Sequence, residues 1–307
     1  MTIHIPYEPP LDWQFMLGYI ERRRTQGVEL IKDNQSVRTI DVNGDSGTLT
    51  VRDEPKRCRL VVTVDGDVCR HLDTVEARVR RMFDIDSNQR EIQNRLGSDP
   101  LIGPLCEAFP GIRIPGAWST FELLVRTIVG QQVSVSAATT IMGRIVLRAG
   151  RPVYGKPATG TPPNGSQHGG ATLLFPKPQS IATADLGNIG MPGRRVAALQ
   201  HVAGLIASER IPFPDNGAED DDVTEALLQV PGIGPWTVAY FALRALKNAD
   251  AWPQTDLILR RMLEKHPMAE KRSMRSISDG WRPYRGYAAM YLWHAASLPD
   301  HQPGTRA

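Results

Sequence analysis

Cysteine, long apolar runs and charge of one sign are all scarce in this chain of 307 residues. The three cysteines, Cys58, Cys69 and Cys106, form no Cys-x-x-Cys pair, so we expect free thiols in a reducing cytoplasm rather than a disulfide framework or a structural zinc. No stretch approaches the roughly 18 apolar residues that span a bilayer, and no basic segment followed by an apolar one opens the chain. We therefore expect no membrane association, no secretory signal and a cytoplasmic location.

The charge that is present is unevenly distributed. The net charge is only +3, yet residues 260–285 carry eight basic side chains against three acidic ones, and Glu219–Asp222 is a run of four acids. A basic segment of this kind is compatible with a face that binds nucleic acid. It is equally compatible with a solvated helix surface, so charge alone does not decide between the two interpretations.

Hydrophobic periodicity predicts an α+β protein with two domains, which also fits the length at roughly 150 residues per domain. A helix is expected over Asp12–Arg24 and short strands near 37–42, 48–51 and 59–64, because Asn43–Gly47 and Asp65–Asp67 provide turn signals. From Thr74 onward the pattern is helical. The predicted helices there are Phe121–Ala149, Pro178–Asp185, Pro192–Ser208, Asp222–Gln229, Pro235–Leu246, Leu257–His266 and Tyr284–Ser297.

These patterns divide the chain into an α+β domain over residues 1–88 and a helical domain over residues 89–298. Proline and glycine are dense between residues 150 and 178, which predicts a flexible loop or, less simply, a partner-binding segment. Residues 299–307 are expected to be a disordered tail.

The sharpest local signal is the string Leu228-Gln229-Val230-Pro231-Gly232-Ile233-Gly234-Pro235-Trp236-Thr237, which lies between two apolar helices. Gly232 and Gly234 allow a tight helix-to-helix turn, Pro231 ends the first helix and Pro235 suits the first turn of the second. Such a turn exposes backbone N–H groups at a helix N-terminus, where an anion such as a DNA phosphate is favoured. An ordinary packed pair of helices is the alternative interpretation.

This string resembles the helix-hairpin-helix of the base-excision DNA glycosylases, in particular those of the AlkA type, the DNA-3-methyladenine glycosylases II. Further matching segments extend the resemblance over nearly the whole chain except the Gly/Pro-rich loop and the tail. They are Pro9–Trp13, Met16–Gly18, Arg80–Asp84, Gly130–Val135, Phe175–Pro178, Ala251–Leu257, Trp281–Tyr287 and Tyr291–Trp293. The resemblance implies a small TATA-binding-protein-like N-terminal domain followed by an all-helical glycosylase domain, with the hairpin near residues 222–246.

Asp256 matches the catalytic aspartate of that family. A carboxylate beside the reacting sugar carbon stabilises the positive charge that develops there and orients the attacking water. The local sequence alone favours a different role, an N-cap of the helix that begins at Leu257, and the two roles are compatible. Arg260 and Arg261, one turn further on, would help to keep the carboxyl group ionised.

Aromatic residues of the chain match the cleft in which the family binds a flipped base. They are Trp236, Tyr240 and Trp293, with Tyr19 as a contribution from the N-terminal domain. Electron-rich rings attract the cationic purines produced by alkylation. Each ring could instead be an ordinary core aromatic on an amphipathic helix. The family pattern is less uniform at Leu257 and His294, which leaves the substrate range open.

Two positions depart from related patterns. Glycosylases that also nick the strand carry a lysine where this chain has Trp236, so the resemblance implies a monofunctional enzyme. Gln132 stands where the AlkA type has a leucine that wedges into the DNA minor groove. We expect Gln132 to take that wedge role, although such wedges are usually apolar. Gly232, Gly234 and Thr237 are the expected DNA contacts of the hairpin.

The resemblance implies no required cofactor. The iron–sulfur cluster of bifunctional relatives needs C-terminal cysteines, and this chain has none after Cys106. A monovalent cation between hairpin carbonyls of Gln229–Gly234 and a DNA phosphate is compatible with the family pattern. The 307 residues leave no room for a methyl-accepting regulatory segment, so direct alkyl transfer and transcriptional activation are not expected.

The predicted function is excision of alkylated purines, of the 3-methyladenine and 7-methylguanine type, from damaged double-stranded DNA by a monomer. A catalytically inactive helix-hairpin-helix DNA-binding protein is the alternative from another class, and only Asp256 separates the two in the sequence. An oxidised-base glycosylase that also nicks the strand is disfavoured by Trp236.

Overall fold

A computed structural model describes residues 1–153, 170–214 and 217–298. The strands are β1 (Thr2–Pro6), β2 (Glu29–Lys32), β3 (Gln35–Val42), β4 (Asp45–Glu54), β5 (Arg59–Gly66), β6 (Arg151–Pro152) and β7 (Leu173–Leu174). The helices are α1 (Trp13–Arg23), α2 (Leu72–Phe83), α3 (Gln89–Leu96), α4 (Gly103–Ala108), α5 (Thr120–Val129), α6 (Val135–Ala149), α7 (Pro178–Thr183), α8 (Gly193–Ala207), α9 (Asp220–Leu228), α10 (Pro235–Arg244), α11 (Leu257–Leu263), α12 (Met274–Asp279) and α13 (Arg285–Ala296). No helix of this described part is long and apolar enough to cross a membrane.

The N-terminal unit is an antiparallel sheet in the order β1-β5-β4-β3-β2, with α1 and α2 on its apolar face. Alternate residues of β5, Leu60, Val62 and Val64, point into this core, as a half-buried strand requires. The central strands contain the predicted runs. The two edge strands, β1 and β2, are missing from the sequence prediction. Both are short, and β2 has no buried residue, so their hydrophobic alternation is weak.

The rest of the described chain is almost wholly helical, so the predicted α+β class is confirmed. The single helix predicted over Phe121–Ala149 is wrong, because the chain breaks at residues 130–134 into α5 and α6. Gln132 adopts a left-handed φ of 56°, which ends helical geometry. Ser134 then caps α6 by accepting a hydrogen bond from the Ala137 amide.

The ends of the predicted flexible loop 150–178 are ordered, which corrects that part of the prediction. Strands β6 and β7 pair antiparallel, and Leu173 packs with Val28 and Val146. The α7 helix begins at Pro178. Residues 154–169 of the loop and the predicted tail 299–307 lie outside the described residues. The domain boundary at residue 88 stays a prediction.

Buried polar contacts join the sheet unit to the helices, and we call this junction the seam. Arg38 of β3 donates to Glu122 of α5 at 2.7 Å, and both side chains are almost fully buried. Asp84, directly after α2, accepts a hydrogen bond from the Tyr287 hydroxyl at 2.7 Å. Arg113 donates to the backbone carbonyls of residues 8, 10, 84 and 85. These paired groups fix how the two units sit against each other.

Candidate active site

Asp256 occupies the N-cap of α11, as the local sequence suggests. Its Oδ1 accepts hydrogen bonds from the Ile258 and Leu259 amides, both at 3.0 Å. A carboxylate at this position is stabilised by the helix dipole and by the first free amides of the helix. The cap fixes the direction of the carboxyl group, so it supports a chemical role as well.

Two indoles from other helices converge on the same carboxylate. Trp236, in the first turn of α10, donates its Nε1–H to Oδ2 at 3.0 Å, and Trp293 of α13 donates to Oδ1 at 3.1 Å. Oδ1 therefore takes three donors and Oδ2 only one. Each carboxylate oxygen has about two lone pairs, so Oδ1 is fully used and one acceptor position remains on Oδ2.

An aromatic surface adjoins Asp256. Trp236 and Tyr240 lie one turn apart on α10 and stack, with ring centroids 5.2 Å apart and an interplanar angle of 16°. The Trp293 ring lies 5.7 Å from that of Tyr240, tilted by 59°. The structure thus brings three of the predicted pocket aromatics together beside the predicted catalytic carboxylate.

The floor of this aromatic pocket is polar. Tyr19 reaches it from α1, and its hydroxyl oxygen lies 2.9 Å from that of Tyr240. Arg244, one turn beyond Tyr240, donates to the Tyr240 hydroxyl at 2.8 Å and to the Pro115 carbonyl at 2.7 Å. Arg23 stacks on the Tyr19 ring at 3.8 Å.

This charge distribution separates the acidities of the two phenols. Burial raises the pKa of Tyr19 to about 12, although the guanidinium groups of Arg23 and Arg244 oppose the shift. Burial also raises the pKa of Tyr240, but the same two guanidinium groups and hydrogen bonds from Tyr19 and Arg244 overcome it and lower the pKa to about 8. The sequence prediction missed Arg244 and Arg23. The spacing of Trp236, Tyr240 and Arg244, four residues apart on one helix, is the signal that could have found Arg244.

The two positions where the family is less uniform lie in different surroundings. Leu257 is 57% exposed at the start of α11, directly after Asp256. His294 packs edge-on against Phe15 and Phe109, with centroid distances of 5.1 and 4.6 Å. Burial lowers the pKa of His294. His294 is thus a packing residue in this structure, and Leu257 lies at the rim of the site.

The predicted hairpin joins α9 to α10. The backbone amides of Gly232, Gly234, Trp236 and Thr237 donate to no other group of the described residues. Gly232 has a φ of 90°, which favours glycine. A Cβ on Gly234 would meet no described atom within 4 Å, so internal packing does not require glycine there. These free amides at a helix N-terminus form a surface suited to an anion.

The other predicted DNA contacts are placed differently. Gln132 is exposed at the tip of the loop between α5 and α6, and its wedge role stays a prediction. The Thr237 side chain is 2% exposed, and its hydroxyl accepts a hydrogen bond from Gln131 at 2.8 Å. The side chain of Thr237 is therefore not available to DNA, whereas its backbone amide remains free.

Acidic side chains neutralise only some of the arginines in the basic segment 260–285. Arg282 and Arg285 both pair with Asp250 and Asp279. Arg260 and Arg261, on α11, are exposed and form no ion pair with any described residue. Lys265, Lys271 and Arg272 are exposed without an ion pair to a described residue as well, so the unpaired positive charge extends from α11 to the start of α12. Within the described chain, no group of three or more His, Cys, Asp or Glu side chains is placed to hold a metal.

Comparisons with known proteins agree with this geometry. A family model described as the AlkA N-terminal domain matches residues 2–119. The chain is 30% identical to the DNA-3-methyladenine glycosylase 2 of Escherichia coli over 94% of this chain and 95% of that protein. It is 31% identical to the "Probable bifunctional transcriptional activator/DNA repair enzyme AlkA" of Mycobacterium tuberculosis over 98% of this chain, which spans only 58% of that relative's length.

Among solved structures, the 3-methyladenine DNA-glycosylase of Archaeoglobus fulgidus is similar with a TM-score of 0.76. The match covers 96% of this chain and 97% of that one, at 19% identity. At this identity the likeness shows the fold, which is shared along the whole length of both proteins.

Proposed function

Because this chain belongs to the AlkA family of DNA-3-methyladenine glycosylases, we propose that it is a monofunctional DNA glycosylase. Its substrates are alkylated purines of the 3-methyladenine and 7-methylguanine type in double-stranded DNA, and its product is an abasic site. The observation that carries the proposal is the convergence of Trp236 and Trp293 on the capped carboxylate of Asp256, beside stacked aromatic rings.

Binding begins with extrusion of the damaged nucleotide from the duplex. The free amides of the hairpin hold a phosphate, and Arg260 and Arg261 add long-range attraction to the backbone. The flipped base lies against Trp236, Tyr240 and Trp293, whose π faces attract its positive charge. Gln132 fills the gap that the base leaves in the stack.

Bond cleavage passes through a transition state with positive charge on the sugar. The bonding electrons of the C1′–N bond leave with the base, which departs neutral because alkylation had made it cationic. Asp256 stabilises the charged sugar, and its Oδ2, the oxygen with spare acceptor capacity, orients the water that attacks C1′. The water proton passes to this carboxylate or to solvent.

A lysine nucleophile has no place in this mechanism. Lys247 has an amine with a depressed pKa, since burial lowers it to about 8. Its Nζ, however, donates to the Ile114 carbonyl at 2.6 Å, and the residue lies eleven positions beyond Trp236. Trp236 and Arg244, the last residue of α10, are eight residues apart, which at 1.5 Å per helical residue is about 12 Å, and Lys247 lies beyond that end. Water is therefore the nucleophile, and the DNA strand is not cut.

The proposed reaction requires no cofactor. One chain contains every residue of the proposed site, so we expect the protein to act as a monomer in the cytoplasm. The hairpin also fits a monovalent cation. The carbonyl groups of Gln229, Pro231 and Ile233 accept no hydrogen bond from described residues, so they can be shared with such an ion. These carbonyls would hold the cation, and its positive charge would attract the bound phosphate.

The test is release of free methylated purines from methylated duplex DNA by the wild type and by Asp256→Asn, at matched folding and DNA affinity. We expect release by the wild type and a loss of about 10²-fold to 10⁴-fold in the variant. Release by both would place the chemistry elsewhere. Binding without release by either would favour the inactive DNA-binding protein.

A further inference from the structure

The loop between α5 and α6, residues 130–134, is held from two sides; we call it the wedge loop. On one side Arg195 of α8 donates from Nη2 to the carbonyls of Ile128, Val129 and Gln131 at 3.0, 3.1 and 2.5 Å. The Ile128 carbonyl also accepts from the Gln131 amide at 3.3 Å, whereas the carbonyls of Val129 and Gln131 have no other partner among the described residues. The guanidinium therefore closes the end of the helix and fixes where the loop leaves it.

On the other side, the Gln131 side chain connects the wedge loop to the hairpin. Its Nε2 lies 3.1 Å from the Gly232 carbonyl oxygen and 2.8 Å from the Thr237 hydroxyl. Gly232 lies in the turn whose free amides face the proposed phosphate, and Thr237 lies in the first turn of α10. The side-chain amide of Gln131 thus connects the wedge loop, which carries Gln132, to the hairpin, which we propose binds the DNA backbone.

The conformation of Gln132 depends on this support. Its left-handed φ of 56° is uncommon for a residue other than glycine, and it persists only where the surroundings enforce it. The buried Nε of Arg195 has no hydrogen-bond partner in the described structure, which is unfavourable for stability alone. Both observations point to a loop whose shape serves more than packing.

On the basis of the proposed function, we propose that Gln131 and Arg195 are positioning residues that join the wedge loop and the hairpin into one rigid body. Binding of a phosphate at the hairpin then fixes the depth at which Gln132 enters the base stack. Neither residue touches the scissile bond. Both act on extrusion of the base, which precedes the chemical step.

The test uses Gln131→Met, which keeps the length of the side chain and removes both hydrogen bonds without adding charge. Single-turnover release of 7-methylguanine is measured from a duplex in which it is paired with cytosine, and from one in which it faces an abasic site. We expect release from the paired duplex to slow about tenfold, as the loss of two hydrogen bonds implies. Release opposite the abasic site should change less than about twofold, since no pair has to be broken there.

Gln14→Met is the matched control, because Gln14 makes a comparable exposed side-chain hydrogen bond to Asn34 far along the chain. It should leave both rates unchanged. Arg195→Met, which removes every donor to the three carbonyls, should reproduce the paired-duplex defect. Equal slowing on both duplexes, or none on either, would overturn the inference.

A second readout separates this inference from the proposed function. Fluorescence of 2-aminopurine beside the damaged position reports unstacking whether or not a base is released. If the wild type released no base, the proposed function would fail. Loss of the fluorescence rise in Gln131→Met at unchanged affinity would still support the joined wedge loop and hairpin, and an unchanged rise would refute it.

Discussion

Two aspartates in different regions of the molecule, Asp84 and Asp256, both accept hydrogen bonds from several donors, but the surroundings of the two carboxylates differ. Asp84, at the seam, accepts hydrogen bonds from the Tyr287 hydroxyl at 2.7 Å and the Ile114 amide at 3.1 Å, and Lys247 lies 3.8 Å away. Asp256 accepts from two indoles and two amides. Asp84 is buried with its partners, whereas Asp256 is only partly buried and borders an open aromatic surface.

The comparison contrasts a carboxylate that joins two buried parts of the protein with one that we propose acts in catalysis. At the seam two donors hold Oδ2 and the Lys247 amine faces Oδ1, so groups inside the protein meet the charge of the carboxylate. At Asp256 three donors hold Oδ1 and one holds Oδ2, so Oδ2 keeps a free acceptor position on a residue that is only partly buried. A carboxylate that is fixed but not fully used is suited to act on something outside the protein.

After the loss of activity in Asp256→Asn, the largest effect that this comparison predicts is a loss of stability in Asp84→Asn. Asp84→Asn should lower the free energy of unfolding by about 2 kcal/mol, because it removes a buried charge that Tyr287 and Lys247 face. The rate of base release per folded molecule should stay near that of the wild type. Denaturant unfolding and single-turnover release measure the two quantities. Asparagine also tolerates the left-handed φ of 57° at this position.

The control is Asp86→Asn, which removes an ion pair with Arg80 at a side chain that is 69% exposed. Its effect should be below about 1 kcal/mol. If Asp84→Asn lost more activity than its unfolded fraction accounts for, the two aspartates would not have separate roles.

The next effect concerns the indole donors. Trp293→Phe keeps a ring in the pocket and removes the N–H that fixes Oδ1 of Asp256, so release should slow about tenfold. Trp281→Phe removes a similar indole bond, 2.7 Å to Asp99, within the core. That variant should lose stability and keep its rate. Equal rate losses in both variants would mean that ring packing, not the hydrogen bond, matters.

A smaller effect is expected from surface charge. Replacing Arg260 and Arg261 by glutamine should reduce the slope of log affinity against log salt by about 0.9 for each DNA phosphate that the protein no longer neutralises. Arg282→Gln should leave the slope unchanged, because Asp250 and Asp279 already neutralise that guanidinium. Binding titrations at several salt concentrations give the slopes. An unchanged slope in the first variant would place α11 away from DNA.

The smallest effect is a titration in the pocket floor. With a pKa lowered to about 8, Tyr240 should show tyrosinate absorbance at a lower pH than an ordinary phenol, and Tyr240→Phe should remove that inflection. Between about pH 8 and pH 10 the folded state would have lost a proton that the unfolded state keeps, so this group makes stability rise with pH in that interval. An inflection that survives in Tyr240→Phe would assign the ionisation to another phenol.

Much of the site could be predicted because its signals are local. The hairpin glycines, the N-cap position of Asp256 and the spacing of Trp236 and Tyr240 all lie within single segments of the sequence. Arg195, which serves carbonyls 64 to 67 residues earlier, leaves no local trace. The same holds for Gln131, whose partners lie 101 and 106 residues away.

Errors in the fold prediction have a similar origin. Apolar periodicity continues across residues 130–134, so pattern alone could not show that Gln132 interrupts the helix. The edge strands β1 and β2 depend on pairing with β5 and β3 rather than on their own alternation. Propensity describes a segment by itself, whereas these features are decided by distant partners.

The hydrogen-bonded phenols of Tyr19 and Tyr240 link the two structural units, and this link has a consequence for evolution and for measurement. Tyr19 belongs to α1, whose other face packs on the sheet, and Tyr240 belongs to the helical part, so the contact between their hydroxyl groups joins the two units. By thermodynamic linkage, a ligand that binds the two phenols only when the sheet unit and the helical part are packed together must also stabilise that packing. Substitutions in the sheet can then change the affinity for such a ligand, and the melting temperature reports its binding.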